Sequence, residues 1–177
     1  MLILAVSGSL RANSSNTAVL QAAVSLAPPG VEIILYDGVS RLPHFSPDLD
    51  SEEALAPVAD WRAQLKASDG ILISSPEYAH GVPGSLKNAL DWVVGSGEFA
   101  EKPVALINTS PRAFHAQASL TETLATMSAR VASEACIEVP LLGMRLDASG
   151  ILAKEEIAKV VRSGVAKFAR TIAQAEK

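Results

Sequence analysis

Short apolar runs alternate with longer amphipathic segments along the 177-residue chain, and this alternation restricts the fold more than any other feature of the sequence. Residues 2–6 form a continuous apolar run of strand length that ends in the turn-prone Ser7-Gly8-Ser9. The next segment carries apolar residues at helical spacing and stops at Pro28-Pro29-Gly30. Further strand-like runs occur at 31–36, 71–74, 104–107 and 135–139, and further helical patterns at 57–68, 84–93, 116–130 and 157–172.

This pattern predicts an α/β fold with a five-stranded parallel sheet and helices on both faces, because strands buried on both sides are continuously apolar. With five strands, the flavodoxin-like doubly wound order 2-1-3-4-5 is the natural arrangement. The length predicts a single domain that spans residues 1–177. The carboxyl ends of the first, third and fourth strands then meet at one crevice, lined by the loops at 7–15, 75–83 and 109–115.

Charge and cysteine content limit the partners of the chain. It carries 15 Lys+Arg and 19 Asp+Glu, a net charge of −4, with no basic run, so we expect small-molecule partners, no nucleic acid and no membrane. The single Cys136 excludes an internal disulfide and favours a reducing, cytoplasmic location. The apolar stretch at residues 1–6 is too short for a signal sequence. Apolar residues make up 49% and charged residues 19%, an excess that hints at a homo-oligomer.

The first crevice loop, residues 7–17, combines hydroxyl and amide side chains with Arg11 at the start of a predicted helix. Such a helix N-terminus suits a phosphate group. The loop has neither the Gly-x-x-x-x-Gly-Lys-Ser/Thr nor the Gly-x-Gly-x-x-Gly pattern, which argues against nucleoside triphosphates and Rossmann-type dinucleotides. The alternative interpretation is that Ser14 or Ser15 only caps the helix while Arg11 is a solvated surface charge.

The second crevice loop, residues 75–83, is rich in proline and glycine and places Tyr78 near the crevice. A rigid backbone with an exposed aromatic ring is typical of a site for a planar ligand. We interpret Leu86, Leu90 and Trp92, which follow in a helical pattern, as core residues.

Together, two motifs resemble the NADPH-dependent FMN reductase family, which includes flavodoxin-like quinone, chromate and azo-dye reductases. The motifs are Gly8-Ser9-Leu10-Arg11 with Ser15-Asn16, and residues 76–92, which read PEYAHGVPGSLKNALDW. The resemblance implies FMN as cofactor, NADPH or NADH as electron donor, and a dimer or tetramer. By matching position it implies a phosphate site at Ser9, Arg11, Ser15, Asn16 and Thr17. It likewise implies an isoalloxazine site at Pro76, Glu77, Tyr78, His80 and Gly81, where Tyr78 and His80 would also contact the substrate.

The third crevice loop departs from that family, in which a glycine-rich stretch usually follows the fourth strand. This chain has Asn-Thr-Ser-Pro-Arg-Ala-Phe-His at 108–115, and Pro111 has no N–H to donate. Ser110 and Arg112 remain expected contacts of the flavin. The departure bears on the choice of substrate and on the potential of the flavin more than on flavin binding.

The remaining reactive side chains favour no other chemistry. His44, His80 and His115 are scattered without metal-ligand spacing, so we expect no metal site. We expect Cys136 to be an inert thiol in a buried core strand, and the loop around Phe45 to form either a pocket rim or a subunit contact.

The sequence therefore predicts an FMN-dependent NAD(P)H oxidoreductase that passes hydride to bound FMN and two electrons to a quinone-like, azo or metal-oxyanion acceptor. The chemistry would belong to the cofactor, so no side chain is expected to act as a catalytic acid or base. Two alternatives stay open: a flavin reductase that releases reduced FMN to a partner monooxygenase, and a non-enzymatic electron carrier.

Overall fold

A parallel sheet forms the centre of the computed structural model, which describes residues 1–51 and 55–175. Its strands are β1 (Leu2–Ser7), β2 (Glu32–Tyr36), β3 (Gly70–Ser74), β4 (Pro103–Asn108), β5 (Arg130–Val131) and β6 (Ile137–Glu138). The order is β2-β1-β3-β4-β5, and β6 also pairs with β4. The predicted doubly wound order 2-1-3-4-5 is thus confirmed.

Two short strands share the fifth position of the sheet. β5 pairs with the beginning of β4 and β6 with its end, and a 3-10 turn at Ser133–Ala135 separates them. The prediction of one continuous strand at 135–139 is therefore wrong in extent, because Ala135 belongs to the turn.

The helix predicted at 116–130 also ends earlier than expected, at Thr126. Ser128 has a φ of +59°, and its N–H donates to the carbonyl of Ala125 while the N–H of Ala129 donates to that of Leu124. This pair of bonds is a Schellman motif, which stops the helix and leads the chain directly into β5.

Among the described residues, six α-helices cover the two faces of the sheet: α1 (Ser15–Ser25), α2 (Ala56–Ala67), α3 (Gly84–Asp91), α4 (Phe114–Thr126), α5 (Ala148–Ala153) and α6 (Glu155–Ala175). Alternate strand residues point to opposite faces, so β1 contributes Ile3 to one core and Leu4 to the other. Helices α1, α5 and α6 pack on the first core, and α2, α3 and α4 on the second. The predicted core positions Leu86, Leu90 and Trp92 are confirmed as buried.

Phe45 and Cys136, two residues singled out in the sequence, lie outside the crevice. Phe45 lies edge-on against Trp92 with ring centroids 5.2 Å apart, and its N–H donates to Asn88 Oδ1 at 2.8 Å, which anchors its loop to α3. Cys136 lies between the 3-10 turn and β6 and is only partly buried, so its predicted place inside a core strand is wrong. Burial nevertheless raises the pKa of its thiol.

No helix in the described ranges 1–51 and 55–175 is long and apolar enough to cross a membrane.

Candidate functional site

An open crevice of about 1200 Å³ lies beyond the carboxyl ends of β1, β3 and β4. The three loops that the sequence predicts there all line it. The predicted site residues that contribute are Ser9, Arg11, Ser15, Asn16, Thr17, Pro76, Glu77, Tyr78, Ser110 and Arg112. His80 and Gly81 do not line the crevice.

The first loop passes directly against the second, and Gly8 makes this approach possible. The N–H of Gly8 donates to the carbonyl of Ser74 at 2.8 Å. A Cβ at this position would lie 2.6 Å from Ser75 Oγ and 3.0 Å from Leu86 Cδ2, closer than real Cβ contacts allow. Any larger residue would push the two loops apart and change the floor of the crevice.

The N-terminus of α1 opens into the crevice with the chemistry of an anion site. Ser14 is the N-cap: its Oγ accepts from the N–H of Thr17 at 3.4 Å, and its carbonyl accepts from Ala18. The N–H groups of Ser15 and Asn16 have no partner in the described part of the chain. Such amides and the helix dipole attract a phosphate, so the capping role of Ser14 and a phosphate role for this loop are compatible.

Asn16 connects the three crevice loops through buried hydrogen bonds. Its Oδ1 accepts from Ser74 Oγ at 2.9 Å and from Thr109 Oγ1 at 3.2 Å, and all three side chains are buried. The amide oxygen is therefore committed to the protein, and only the side-chain NH2 group remains for a ligand. Asn16 thus positions the loops from β1, β3 and β4 relative to one another.

The second loop presents Tyr78 through a tight turn. The N–H of Tyr78 donates to the carbonyl of Gly81 at 3.1 Å, and the N–H of Gly81 donates back at 3.0 Å. Ala79 and His80 between them have φ values of +49° and +59°, an uncommon conformation for residues other than glycine. The turn leaves the Tyr78 side chain 55% exposed at the crevice.

His80 lies beside the crevice in an aromatic stack. Its ring is stacked on that of His115, with ring centroids 4.3 Å apart. The ring of His115 also lies against that of Phe114, with centroids 4.1 Å apart. This stack joins the second loop to the start of α4 at the surface. The pair is not part of a metal cluster, since no group of three or more metal-ligating residues occurs among the residues described.

Glu77 connects the same two elements from inside the crevice. Its Oε2 accepts from the N–H of Ala116 at 2.8 Å. The N-cap residue of α4, Ala113, provides no side-chain cap, so the carboxylate of Glu77 caps this helix from another loop. Sequence reasoning missed this role because the two residues lie far apart along the chain.

In the third loop, side chains accept hydrogen bonds from the backbone of the same loop. The N–H of Ser110 donates to Asn108 Oδ1 at 3.0 Å, and the N–H of Arg112 donates to Ser110 Oγ at 3.3 Å. Arg112 is exposed and lines the crevice. Two backbone N–H groups of this loop are thus used by side chains of the same loop.

Sequence reasoning missed one wall of the crevice. It is formed by residues after β6, namely Leu142, Gly143, Arg145, Leu146 and Asp147, together with Gln21 on α1. Asp147 caps α5, because its Oδ1 accepts from the N–H of Gly150 at 2.7 Å and from Ser149 Oγ at 2.8 Å. These hydrogen bonds lower the pKa of the Asp147 carboxyl. No motif in the segment signals its position, since its place depends on the packing of α5 on α1.

Arginines without ion-pair partners concentrate in the crevice. Four of the chain's arginines are paired: Arg41 with Asp37, Arg62 with Asp50, Arg130 with Glu101 and Arg162 with Glu155. Within the described residues the unpaired arginines are Arg11, Arg112, Arg145 and Arg170, and the first three line the crevice. These three arginines outnumber the two carboxylates that line the crevice, Glu77 and Asp147, so the crevice carries a small positive charge in a chain whose net charge is −4, which suits an anionic ligand.

Comparison with known proteins identifies the family that shares this architecture. Residues 1–141 match the NADPH-dependent FMN reductase family. The chain is 33% identical over 165 residues to an NAD(P)H-dependent FMN reductase of Pseudomonas aeruginosa, a match that covers 90% of this chain and 89% of the relative. It is 34% identical over 173 residues to a 2-hydroxy-1,4-benzoquinone reductase of a Burkholderia species, covering 94% and 93% of the two chains.

A solved structure agrees over nearly the whole chain. The flavoenzyme NAD(P)H:(acceptor) oxidoreductase FerB from Paracoccus denitrificans has a TM-score of 0.81 and 29% sequence identity, with 98% of each chain covered.

Proposed function

The chain belongs to the NADPH-dependent FMN reductase family, and on that premise we propose that it is an FMN-dependent NAD(P)H oxidoreductase that reduces quinone-like acceptors. The overall reaction consumes one NAD(P)H, one proton and one quinone and forms NAD(P)⁺ and the hydroquinone. The relatives named for FMN and benzoquinone reduction support this reaction class.

The observation that carries the proposal is that the start of α1, with its unpaired N–H groups, lines the same crevice as the exposed ring of Tyr78. One end of the crevice offers the unpaired N–H groups of Ser15 and Asn16 together with Arg11. The adjoining wall consists of Pro76 and Tyr78. A ligand with a phosphate at one end and a planar ring at the other matches both features, and FMN has this composition.

Each predicted site residue takes a defined part in this proposal. Arg11 and the hydroxyls of Ser9, Ser15 and Thr17 neutralise and hydrogen-bond the phosphate. Asn16 keeps the three loops in register, and its free NH2 group faces the ligand. Pro76 and Tyr78 bound the ring on one side, while Ser110 and Arg112 approach its edge from the third loop. Glu77, His80 and Gly81 act indirectly, because they hold the second loop and α4 in position.

When bound, FMN would supply the two-electron chemistry that links oxidation of the reduced nicotinamide to reduction of the acceptor. The residues of this chain bind and orient the cofactor and leave the crevice open to solvent on one side. Tyr78, 55% exposed, is the side chain we expect to contact the incoming nicotinamide or quinone. No described side chain is required to move a proton in this scheme.

Absorbance spectra and anaerobic titration test the proposal. The purified protein should be yellow or become so with added FMN, and either NADPH or NADH should bleach the flavin absorbance within a catalytic turnover time. A quinone added afterwards should restore it. Tight flavin that no nicotinamide bleaches would identify an electron carrier. A colourless protein whose activity depends on freely exchanging FMN would identify a flavin reductase that releases its product.

The proposal includes assembly into a homodimer or homotetramer. Large apolar side chains on the outer side of the crevice loops and at the start of α4 are exposed: Leu10, Phe114 and Met144 are each 49–61% accessible. A second copy that covers these loops would bury this surface. Light scattering at micromolar concentration should give two or four times the chain mass of 18.5 kDa, and a monomer would contradict this part of the proposal.

We further propose a cytoplasmic location. The one cysteine, Cys136, is unpaired, as expected of a protein in a reducing compartment. Fractionation with an antibody to the native protein tests this location, and recovery from an oxidising compartment would contradict it.

A further inference from the structure

One end of the crevice is built by residues that lie beyond the phosphate- and ring-binding loops. We call it the second lobe; it consists of Ala18, Gln21, Leu142, Gly143, Arg145, Leu146 and Asp147. Its outer segment follows residue 141, where the match to the reductase family ends. The lobe arises because α5 packs against α1 and brings the preceding segment beside the first turns of α1.

The second lobe contains a guanidinium group without an ion-pair partner. Arg145 is exposed to the crevice and has no ion-pair or hydrogen-bond partner for its guanidinium among the described residues. Asp147, the carboxylate closest to it in sequence, is committed to α5 through the N–H of Gly150 and the hydroxyl of Ser149. The guanidinium N–H groups of Arg145 are therefore available to a bound anion, although the nearby Asp147 carboxylate offsets part of its charge.

The rest of the second lobe suits a heterocyclic base. Leu142 is 56% exposed, and the partly buried Leu146 extends the apolar surface. Gly143, at a φ of +81°, has no atom within 4 Å of where a Cβ would stand, so the lobe is open above it. Gln21 adds an amide that can pair with ring nitrogens. Apolar surface, amide and guanidinium together match a nucleotide.

The size of the crevice leaves room for two ligands. Its volume of about 1200 Å³ exceeds the ~300–1,000 Å³ of ordinary single-ligand pockets. The FMN that we propose occupies the part between Arg11 and Tyr78.

We propose that the second lobe binds the adenosine half of the reduced nicotinamide coenzyme and that Arg145 binds one of its phosphates. This inference rests on the proposed function, in which that coenzyme is the hydride donor. Two phosphate sources share this chemistry: the diphosphate present in both NADH and NADPH, and the 2′-phosphate present in NADPH alone. Arginine is the residue that accommodates the 2′-phosphate in other dinucleotide sites.

Binding to the FMN-loaded protein tests the inference directly. Adenosine 2′,5′-bisphosphate and ADP serve as calorimetric probes, and steady-state KM values for NADPH and NADH accompany them. We compare the wild type with Arg145→Ala, Arg145→Lys and Arg170→Ala. The last variant removes an equally exposed, unpaired arginine on α6, outside the crevice, and is the matched control.

We expect Arg145→Ala to weaken binding of at least one probe and to raise the corresponding KM by about tenfold or more, as the loss of a charged hydrogen bond predicts. Arg145→Lys should recover part of this loss, and Arg170→Ala should match the wild type. An effect confined to adenosine 2′,5′-bisphosphate and NADPH supports the 2′-phosphate as the group bound. An equal effect on ADP and NADH supports the diphosphate.

Two results would overturn the inference. The first is Arg145→Ala behaving like Arg170→Ala toward both probes and both coenzymes. The second is a loss of FMN affinity in Arg145→Ala of the same size as the loss of coenzyme binding, which would assign Arg145 to the cofactor. Neither result affects the proposed function, which fails only if the wild type does not bind FMN or does not oxidise NAD(P)H.

Discussion

Replacing Asn16 by alanine removes the amide oxygen that joins the three loops of the crevice. Ser74 Oγ keeps a second acceptor, the carbonyl of Ile107 at 3.1 Å, so its loss is limited to one hydrogen bond. Thr109 Oγ1 keeps no acceptor among the described side chains and is buried. A lost bond costs about 0.5–1.5 kcal/mol and a buried unsatisfied hydroxyl about 1–3 kcal/mol. We therefore expect Asn16→Ala to lower the free energy of unfolding by about 2–4 kcal/mol.

Urea unfolding of the protein without FMN measures this loss, with the fluorescence of the buried Trp61 and Trp92 as the probe. Asn13→Ala is the matched control, because Asn13 lines the crevice but is exposed and has no side-chain hydrogen bond in the described structure. Its effect should stay within about 0.5 kcal/mol.

A double-mutant cycle isolates the contact between Asn16 and Thr109. Asn16→Ala leaves the Thr109 hydroxyl without its acceptor, and Thr109→Val removes that hydroxyl. The loss of unfolding free energy in the double variant should therefore be smaller than the sum of the losses in the two single variants. Additive effects, or a loss of less than about 0.5 kcal/mol in Asn16→Ala alone, would refute the idea that this residue holds the loops together.

Four other perturbations follow from the structure. Arg11→Ala should weaken FMN binding by about 1.5–3 kcal/mol in calorimetry, and unchanged affinity would remove the phosphate role of this residue. Gly8→Ala should destabilise the protein by about 1–3 kcal/mol through overpacking. Adding Ser75→Gly to this variant should relieve part of the loss. A double variant no more stable than Gly8→Ala would argue against the close approach of residue 8 to Ser75. Glu77→Ala should cost about 0.5–2 kcal/mol as the loss of a helix cap, with Glu77→Gln less affected; equal stability of both variants and the wild type in urea would contradict the capping role. Because burial raises the pKa of Cys136, iodoacetamide at pH 8 should alkylate this thiol more slowly in the folded than in the urea-unfolded protein, and equal rates would contradict the assignment.

Most of the fold was predictable because strands buried on both faces and amphipathic helices leave strong periodic signals. The order of the first four strands and the inward face of α3 follow from this pattern. The fifth strand was harder, since the ends of short segments depend on local bonds that periodicity does not encode. Ser128 stops α4 through a Schellman motif, and the turn at Ser133–Ala135 divides the strand in two.

The crevice was predictable to the extent that its residues stand at the ends of strands. Loops after β1, β3 and β4 must meet in a parallel sheet of this order, and they do. What their side chains bind was less predictable. Glu77 resembles a cofactor contact in sequence, yet its carboxylate caps α4, and the amide oxygen of Asn16 is used by two buried hydroxyls.

By itself the sequence determined the fold class, the positions of the crevice loops and the polar, N–H-rich start of α1, because all three leave local patterns in the chain. Only the tertiary structure decided which residues form the wall of the crevice that follows β6. The segment around Arg145 packs beside α1 although more than a hundred residues separate them in sequence. Its place depends on the burial of Ile151 of α5 in the core that α1 shares. Contacts between segments so far apart in sequence leave no local sequence pattern. Only the packed structure therefore shows that Arg145 lines the crevice.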